Sequence, residues 1–355
     1  MEEQIPSRPQ IDTEATPSPV EIPYPGCRDY IRETYARRSF PEEGIAGILA
    51  SISEQTLKQY DCAYKAWWYF CLNKQVDPYR GVLENIICFL KLKFEEGCSF
   101  SVVNSYKSAL ALVLQMSKDS EKMVNRFLKG LRNIRPPKAR YSSTWDPHPV
   151  LNYLETLYPL DSLSLRDLTL KLVVLLALTT AHRMQTLTKI KISNIVKCAE
   201  YVEIFIEDKI KTSGRNSLQP VLYIPYFSEK PALCLASTIE LYIEKTKAIR
   251  PVGLNTLIIT IKKPFRAASS QTISRWIKSV LRQSGINTNL YSGYSIKHAA
   301  VSSADRAGVN IEVIRKAAGW SDKSSVFCSF YKRPIHSAPE TFAKAVFKGA
   351  GVNMD

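Results

Sequence analysis

The chain has 355 residues, 45% of them hydrophobic, with 48 Lys+Arg against 33 Asp+Glu and a formal net charge of +15. That length and apolar share fit two or three packed domains rather than a disordered or fibrous chain, and the cationic excess favours polyanionic partners. Eight cysteines scattered singly, without a CxxC pair, and four histidines argue against a zinc site or a disulfide framework and fit reduced thiols in an intracellular protein.

The opening "MEEQIPSRPQ" is acidic and carries prolines, unlike a signal peptide. Residues 1–40 read as a disordered tail, because their first stretch is rich in Pro, Glu, Ser and Thr and poor in large apolar side chains. Residues 41–133 read as a helical domain. "SEQTLKQYDCAYKAWWYFCLNK" has a start signal at Ser53 or Thr56. Leu57, Tyr60, Tyr64, Trp67, Trp68 and Cys71 then recur at helical spacing. "YRGVLENIICFLKLKFEEG", "SFSVVNSYKSALALVLQMS" and "SEKMVNRFLKGLRN" supply three more helices. Residues 134–149, "IRPPKARYSSTWDPHP", lack periodicity and read as a basic linker suited to a phosphate backbone or simply to solvent.

The second domain spans 150–335. Helices are predicted at 148–158 and 163–180. The apolar run from Leu168 to Ala181 contains Lys171 and is too short to span a bilayer. In "YVEIFIEDKIKTSGRNSLQPVLYIPY", Val202, Ile204 and Ile206 alternate with Glu203, Phe205 and Glu207, and a polar turn leads to a second strand. Further helices are predicted at about 231–247, 270–284, 294–306 and 310–317. Residues 336–355 read as a C-terminal helix and tail. There Ser337 and Glu340 have capping-box spacing, ahead of a stripe of Phe342, Val346 and Phe347. The fold class is mostly α (α+β): a helical domain, then a mainly helical one with a small antiparallel sheet.

Four pieces of the second domain carry chemistry: Arg183 in "TTAHRMQTLTKIKISNI", the lysines Lys209 and Lys211 of the hairpin, "SGYSIKHAAVSSADRAGVNIEVIRKAAGW", and Tyr331 followed by Lys332 and Arg333. Each alone also has a structural reading, as a cap, a solvated lysine or a core aromatic. In this order they resemble the tyrosine recombinases, the phage integrases, Cre and relatives, over roughly residues 50–335. The stretch "CRDYIRETYARRSFPEEGIAGILASISEQTLKQYDCAYKAWWYFC" and "HRMQTL" look most like recombinases of eukaryotic mobile elements, the DIRS-like retrotransposons and Cryptons.

That resemblance implies a site. Tyr331 matches the nucleophile that attacks a scissile DNA phosphate. Arg183 matches the first arginine, whose fork suits phosphate oxygens. Lys211 matches the hairpin lysine that protonates the leaving 5′-oxygen, with Lys209 as its alternate. Trp320 matches a position held by His or Trp. Three positions depart from the pattern: Tyr294 stands where His or Lys serves as general acid/base, Lys297 at the second arginine, and Thr186 at a carboxylate. A lysine keeps the charge but not the bidentate geometry, and a phenol is a poor base at neutral pH. His298 is placed to assist.

The resemblance further implies double-stranded DNA as partner, self-association as a tetramer on DNA, no cofactor or metal, no membrane, and a nuclear mobile-element setting. Other readings consistent with the residues are a DNA-binding relative without cleavage, a type IB topoisomerase, and a helical protein-interaction module.

Overall fold

The computed structural model describes residues 23–137, 141–210, 213, 219–320, 331, 333–335, 344 and 346–347. The chain divides into two compact units, Met1–Lys138 and Ala139–Asp355.

The first unit is helical among its described residues. It holds α1 (Cys27–Ala36), α2 (Glu42–Ala50), α3 (Glu54–Lys74), α4 (Leu83–Glu95), α5 (Phe100–Val113) and α6 (Lys118–Ile134). Serine hydroxyls open three of them. Ser53, Ser99 and Ser117 each accept the backbone N–H three residues on, at 3.2, 3.4 and 3.1 Å. Such a cap contributes about 1 kcal/mol. Trp67, Tyr64, Phe89 and Leu110 fill the centre from α3, α4 and α5.

The expected disordered tail over 1–40 is corrected over its described part. Helix α1 occupies Cys27–Ala36, and Tyr30 and Ile31 on it are wholly buried. The Tyr30 hydroxyl donates to the Pro78 carbonyl at 2.6 Å, and its ring meets Trp68 edge-on at 5.9 Å. The apolar stripe of α1 is narrow and lies between Arg28, Asp29, Arg32 and Glu33, so only its partners in α3 reveal it.

The second unit begins with α7 (His148–Thr156) and α8 (Leu165–Thr180). Helix α8 is buried nearly all round, the mark of a central helix. Lys171 lies within it, fully buried, and donates to the carbonyls of Leu154 and Leu157 at 2.9 and 2.6 Å. Its ammonium thereby satisfies the open C-terminal end of α7. Burial pulls its pKa down to about 8. Next come the one-turn α9 (Met184–Leu187) and the strands β1 (Ile195–Lys197), β2 (Tyr201–Phe205) and β3 (Val221–Pro225). They form an antiparallel sheet in the order β1-β2-β3. Alternation in the sequence reveals the β2–β3 hairpin but not the short β1. Val202, Ile204 and Ile206 point inward, as their alternation requires. Helices α10 (Leu235–Lys247), α11 (Ser270–Gln283), α12 (Ile296–Arg306) and α13 (Ile311–Ala317) complete the unit. No described helix is long and apolar enough to cross a membrane.

The expected linker over 134–149 is also corrected. Trp145 is buried in the core of the second unit, and its indole N–H donates to Ser295 Oγ at 2.8 Å. Ser143 Oγ and the Tyr291 hydroxyl lie 3.1 Å apart. One large aromatic in a stretch without periodicity is enough to dock it.

Candidate active site

Helix α8 ends at Ala181, whose φ of +49° closes the helix with a left-handed turn. The chain then runs through buried His182 to Arg183, which is extended and caps α9. Met184, Thr186 and Leu187 are buried behind it and fix the turn from within. Thr186, which stands where the resemblance implies a carboxylate, donates its backbone N–H to the Arg183 carbonyl at 2.8 Å. Arg183 itself is half-buried.

Helix α12 supplies Lys297 and His298, both buried, at 4% and 5% exposure. Lys297 Nζ donates to the Ala318 carbonyl at 2.8 Å, at the end of α13. The same ammonium lies 4.5 Å from the Trp320 ring centre and 5.5 Å from that of Tyr331. Tyr331 is half-buried. Its ring stacks on His298 at 4.5 Å and 27°, and tilts against Trp320 at 4.7 Å. The tyrosine therefore sits in a slot walled by an imidazole and an indole, with the Lys297 ammonium facing the indole and the phenol.

Charge tunes this slot. Burial, then the neighbouring Arg183, pulls Lys297 down to about 7. Burial, then Lys297 and Arg183, pulls His182 down to about 3. Burial, then Arg333 and Lys297, pulls His298 down to about 4. Both imidazoles are neutral at physiological pH. Cations press on one another here, an arrangement that an incoming anion relieves.

Gly319 joins the pieces. Its φ is +64°, and a Cβ there would lie 2.8 Å from His182 Cε1. The turn 318–320 is thus held by Lys297 through a carbonyl and lies against His182, the neighbour of Arg183 in the chain.

The structure brings Lys297, His298, Trp320 and Tyr331 together, with Arg183 close enough to depress Lys297. Lys211 lies outside the described residues. Lys209 is exposed, just beyond an ion-paired cluster in which Asp208 meets Lys191 at 2.9 Å and Lys189 at 3.4 Å. Tyr294 is 55% exposed in a short 3-10 helix, Gly293–Ser295, and among the described residues it makes no hydrogen bond or ring contact with the slot. Gly293 sets that helix tight on α11, for a Cβ there would meet the Ser274 carbonyl at 2.3 Å. Of the predicted terminal stripe, Val346 and Phe347 are exposed, and Phe342 lies outside the described residues. Sequence reasoning did not single out His182, Ser302 or Tyr141. Only His182 carried a signal, as a histidine ending an apolar run beside Arg183.

No protein-family model matches the sequence, and no curated protein matches it either. Solved structures do match its fold. XerH site-specific recombinase bound to a palindromic difH substrate superposes with a TM-score of 0.55 at 12% identity, over 87% of this chain and 82% of that one. The Tn1549 transposon integrase in complex with transposon right end DNA gives 0.53 at 12% identity, over 92% and 99%. A lambda integrase dimer bound to a COC′ core site gives 0.50 at 17% identity, over 85% and 94%. The chain has the tyrosine recombinase fold.

Proposed function

We propose that this chain is a tyrosine recombinase, an enzyme that cuts and rejoins double-stranded DNA through a 3′-phosphotyrosyl intermediate. One observation carries the reading: within that fold, Tyr331 is packed between His298 and Trp320 beside Lys297, whose charge Arg183 is near enough to depress. A phosphate entering the slot meets cations and neutral rings. The Tyr331 oxygen, giving up its proton to water, bonds to phosphorus as the bond to the 5′-oxygen breaks. The departing oxygen takes a proton from Lys211 and leaves as a hydroxyl. Energy of the broken bond is kept in the phosphotyrosyl ester, so rejoining needs no nucleotide. Arg183 and Lys297 offset the charge that builds on the phosphate oxygens.

The surface supports a duplex partner. Lys118, Lys122, Arg126 and Lys129 stand exposed on successive turns of α6. In the second unit, a hollow of about 410 Å³ is lined by Arg166, Lys262, Lys263, Arg266, Arg275 and Trp276 among others. Assembly into a tetramer on DNA, with the terminal helix docked on a neighbouring copy, belongs to the same proposal. So does a mobile-element origin near the DIRS-like and Crypton recombinases, acting in a nucleus.

A second reading, a relative that binds DNA without cutting it, is favoured by the exposed Tyr294 and by Lys297 being spent on a carbonyl. The test is covalent capture on nicked duplexes enriched from a randomised pool by binding to this protein. The enzyme leaves a protein–DNA band on a denaturing gel. Tyr331→Phe abolishes it at unchanged DNA affinity, and Arg183→Ala slows it by about 3 kcal/mol or more in barrier. Tight binding with no band from wild type establishes the non-cutting relative instead. Relaxation of supercoiled plasmid without strand exchange would point to a topoisomerase.

A further inference from the structure

The residues just ahead of α7 do more than connect one helix to the next. They reach the segment that follows Tyr331, which α12 also holds. Ser302 Oγ donates to the Tyr331 carbonyl at 2.9 Å and accepts the Arg333 N–H at 3.1 Å. From the other side, the Thr144 N–H donates to the Pro334 carbonyl at 2.8 Å, and Thr144 pairs with Ile335 in a parallel bridge. The Arg333 guanidinium donates to the Tyr141 carbonyl and lies 5.4 Å from the centre of the Tyr141 ring. That ring also meets His298 edge-on at 5.4 Å, and Tyr291 at 5.5 Å.

We propose that Tyr141–Trp145 is a positioning strap for Tyr331. Tyr141 backs the imidazole that stacks on Tyr331, while Thr144 and Tyr141 grip the backbone and side chains that follow it. Trp145 anchors the strap, buried and bonded to Ser295 on the turn that leads into α12. The strap therefore converges on the same tyrosine through His298, Arg333 and Pro334. Aromatic stacking, a charge-assisted hydrogen bond and a backbone hydrogen bond together hold a side chain to one geometry more tightly than any one of them, and placement of the attacking atom sets rate more than affinity. This inference rests on Tyr331 being the nucleophile.

The test uses the full chain and the nicked duplex of the capture assay, in single turnover. Tyr141→Phe keeps the ring and the carbonyl. Tyr141→Ala keeps only the carbonyl. The strap predicts that Tyr141→Phe retains the wild-type rate of adduct formation, whereas Tyr141→Ala lowers it by about tenfold, with DNA affinity within about twofold of wild type. Arg333→Gln should lower the rate in the same way. A residue that only supported folding would reduce the amount of adduct at the plateau and leave the rate constant alone, and that outcome overturns the proposal. So does an equal loss in Tyr141→Phe and Tyr141→Ala. If wild type forms no adduct, the recombinase reading itself fails and the strap's role in catalysis fails with it. If wild type reacts and Tyr141→Ala reacts as fast, only the strap is lost.

Discussion

Lys297 Nζ donates to the carbonyl oxygen of Ala318 at 2.8 Å, and this bond ties α12 to the turn that carries Trp320. A buried ammonium with one carbonyl partner and two aromatic faces is only partly compensated for the water it has lost. Its charge is correspondingly easy to remove, and it sits next to the tyrosine slot.

That relationship predicts a pH-dependent stability. Lys297 is pulled from an ordinary 10.5 to about 7 by burial and by Arg183. Between those values the unfolded chain holds a proton that the folded chain has released. Stability therefore rises with pH across that window, and the full penalty is present below about pH 7. Lys297→Met keeps the stem and removes the titration. Between pH 7 and 9, denaturant unfolding should show wild type gaining on the order of 2 kcal/mol more than the variant. Parallel pH profiles for the two proteins would contradict the assignment.

Gly319→Ala should be strongly destabilising. The left-handed backbone alone costs about 1–3 kcal/mol for a residue with a Cβ. The new methyl would also lie 2.8 Å from His182 Cε1. His182→Ala removes that clash but not the backbone strain. In thermal unfolding, the double variant should lose less than the sum of the two single variants. Simple additivity would mean that ring and turn do not meet.

Tyr331 should act on the phosphate held by Arg183 of its own chain, because Ser302, on the same helix as Lys297 and His298, grips the Tyr331 backbone. A mixture of Arg183→Ala and Tyr331→Phe proteins then has no complete site. It should form no more adduct than either variant alone. Recovery of adduct in the mixture would show that the tyrosine is donated between copies.

The cationic face of α6 should neutralise backbone phosphates. Replacing Lys122, Arg126 and Lys129 by Gln should weaken DNA binding across unrelated sequences. The slope of log affinity against log salt should fall by about 0.9 for each phosphate that is no longer neutralised. An unchanged slope would remove α6 from the interface, whatever the change in affinity at one salt concentration.

The sequence alone made α3–α8 and α10–α13 legible, because periodic apolar spacing and serine caps such as Ser53, Ser117 and Ser269 act within one turn. It also determined the β2–β3 hairpin, through the alternation of Val202, Ile204 and Ile206, and it singled out Arg183, Lys297, Trp320 and Tyr331 by type and order. Tertiary structure decided the rest. Helix α1 was hidden because its buried stripe makes sense only against Trp68 and Pro78. The segment 141–145 looked like a linker because a docked strap needs one anchor, Trp145, rather than a repeating pattern. Packing also decided that Lys297 is buried and donates to the Ala318 carbonyl, since burial and hydrogen-bond direction depend on what the rest of the chain brings near. Tyr294, one turn earlier, was left on the surface for the same reason. Pairs far apart in sequence, such as Tyr141 with Arg333 and His182 with Gly319, have no local signature, because only the closed core sets their distance.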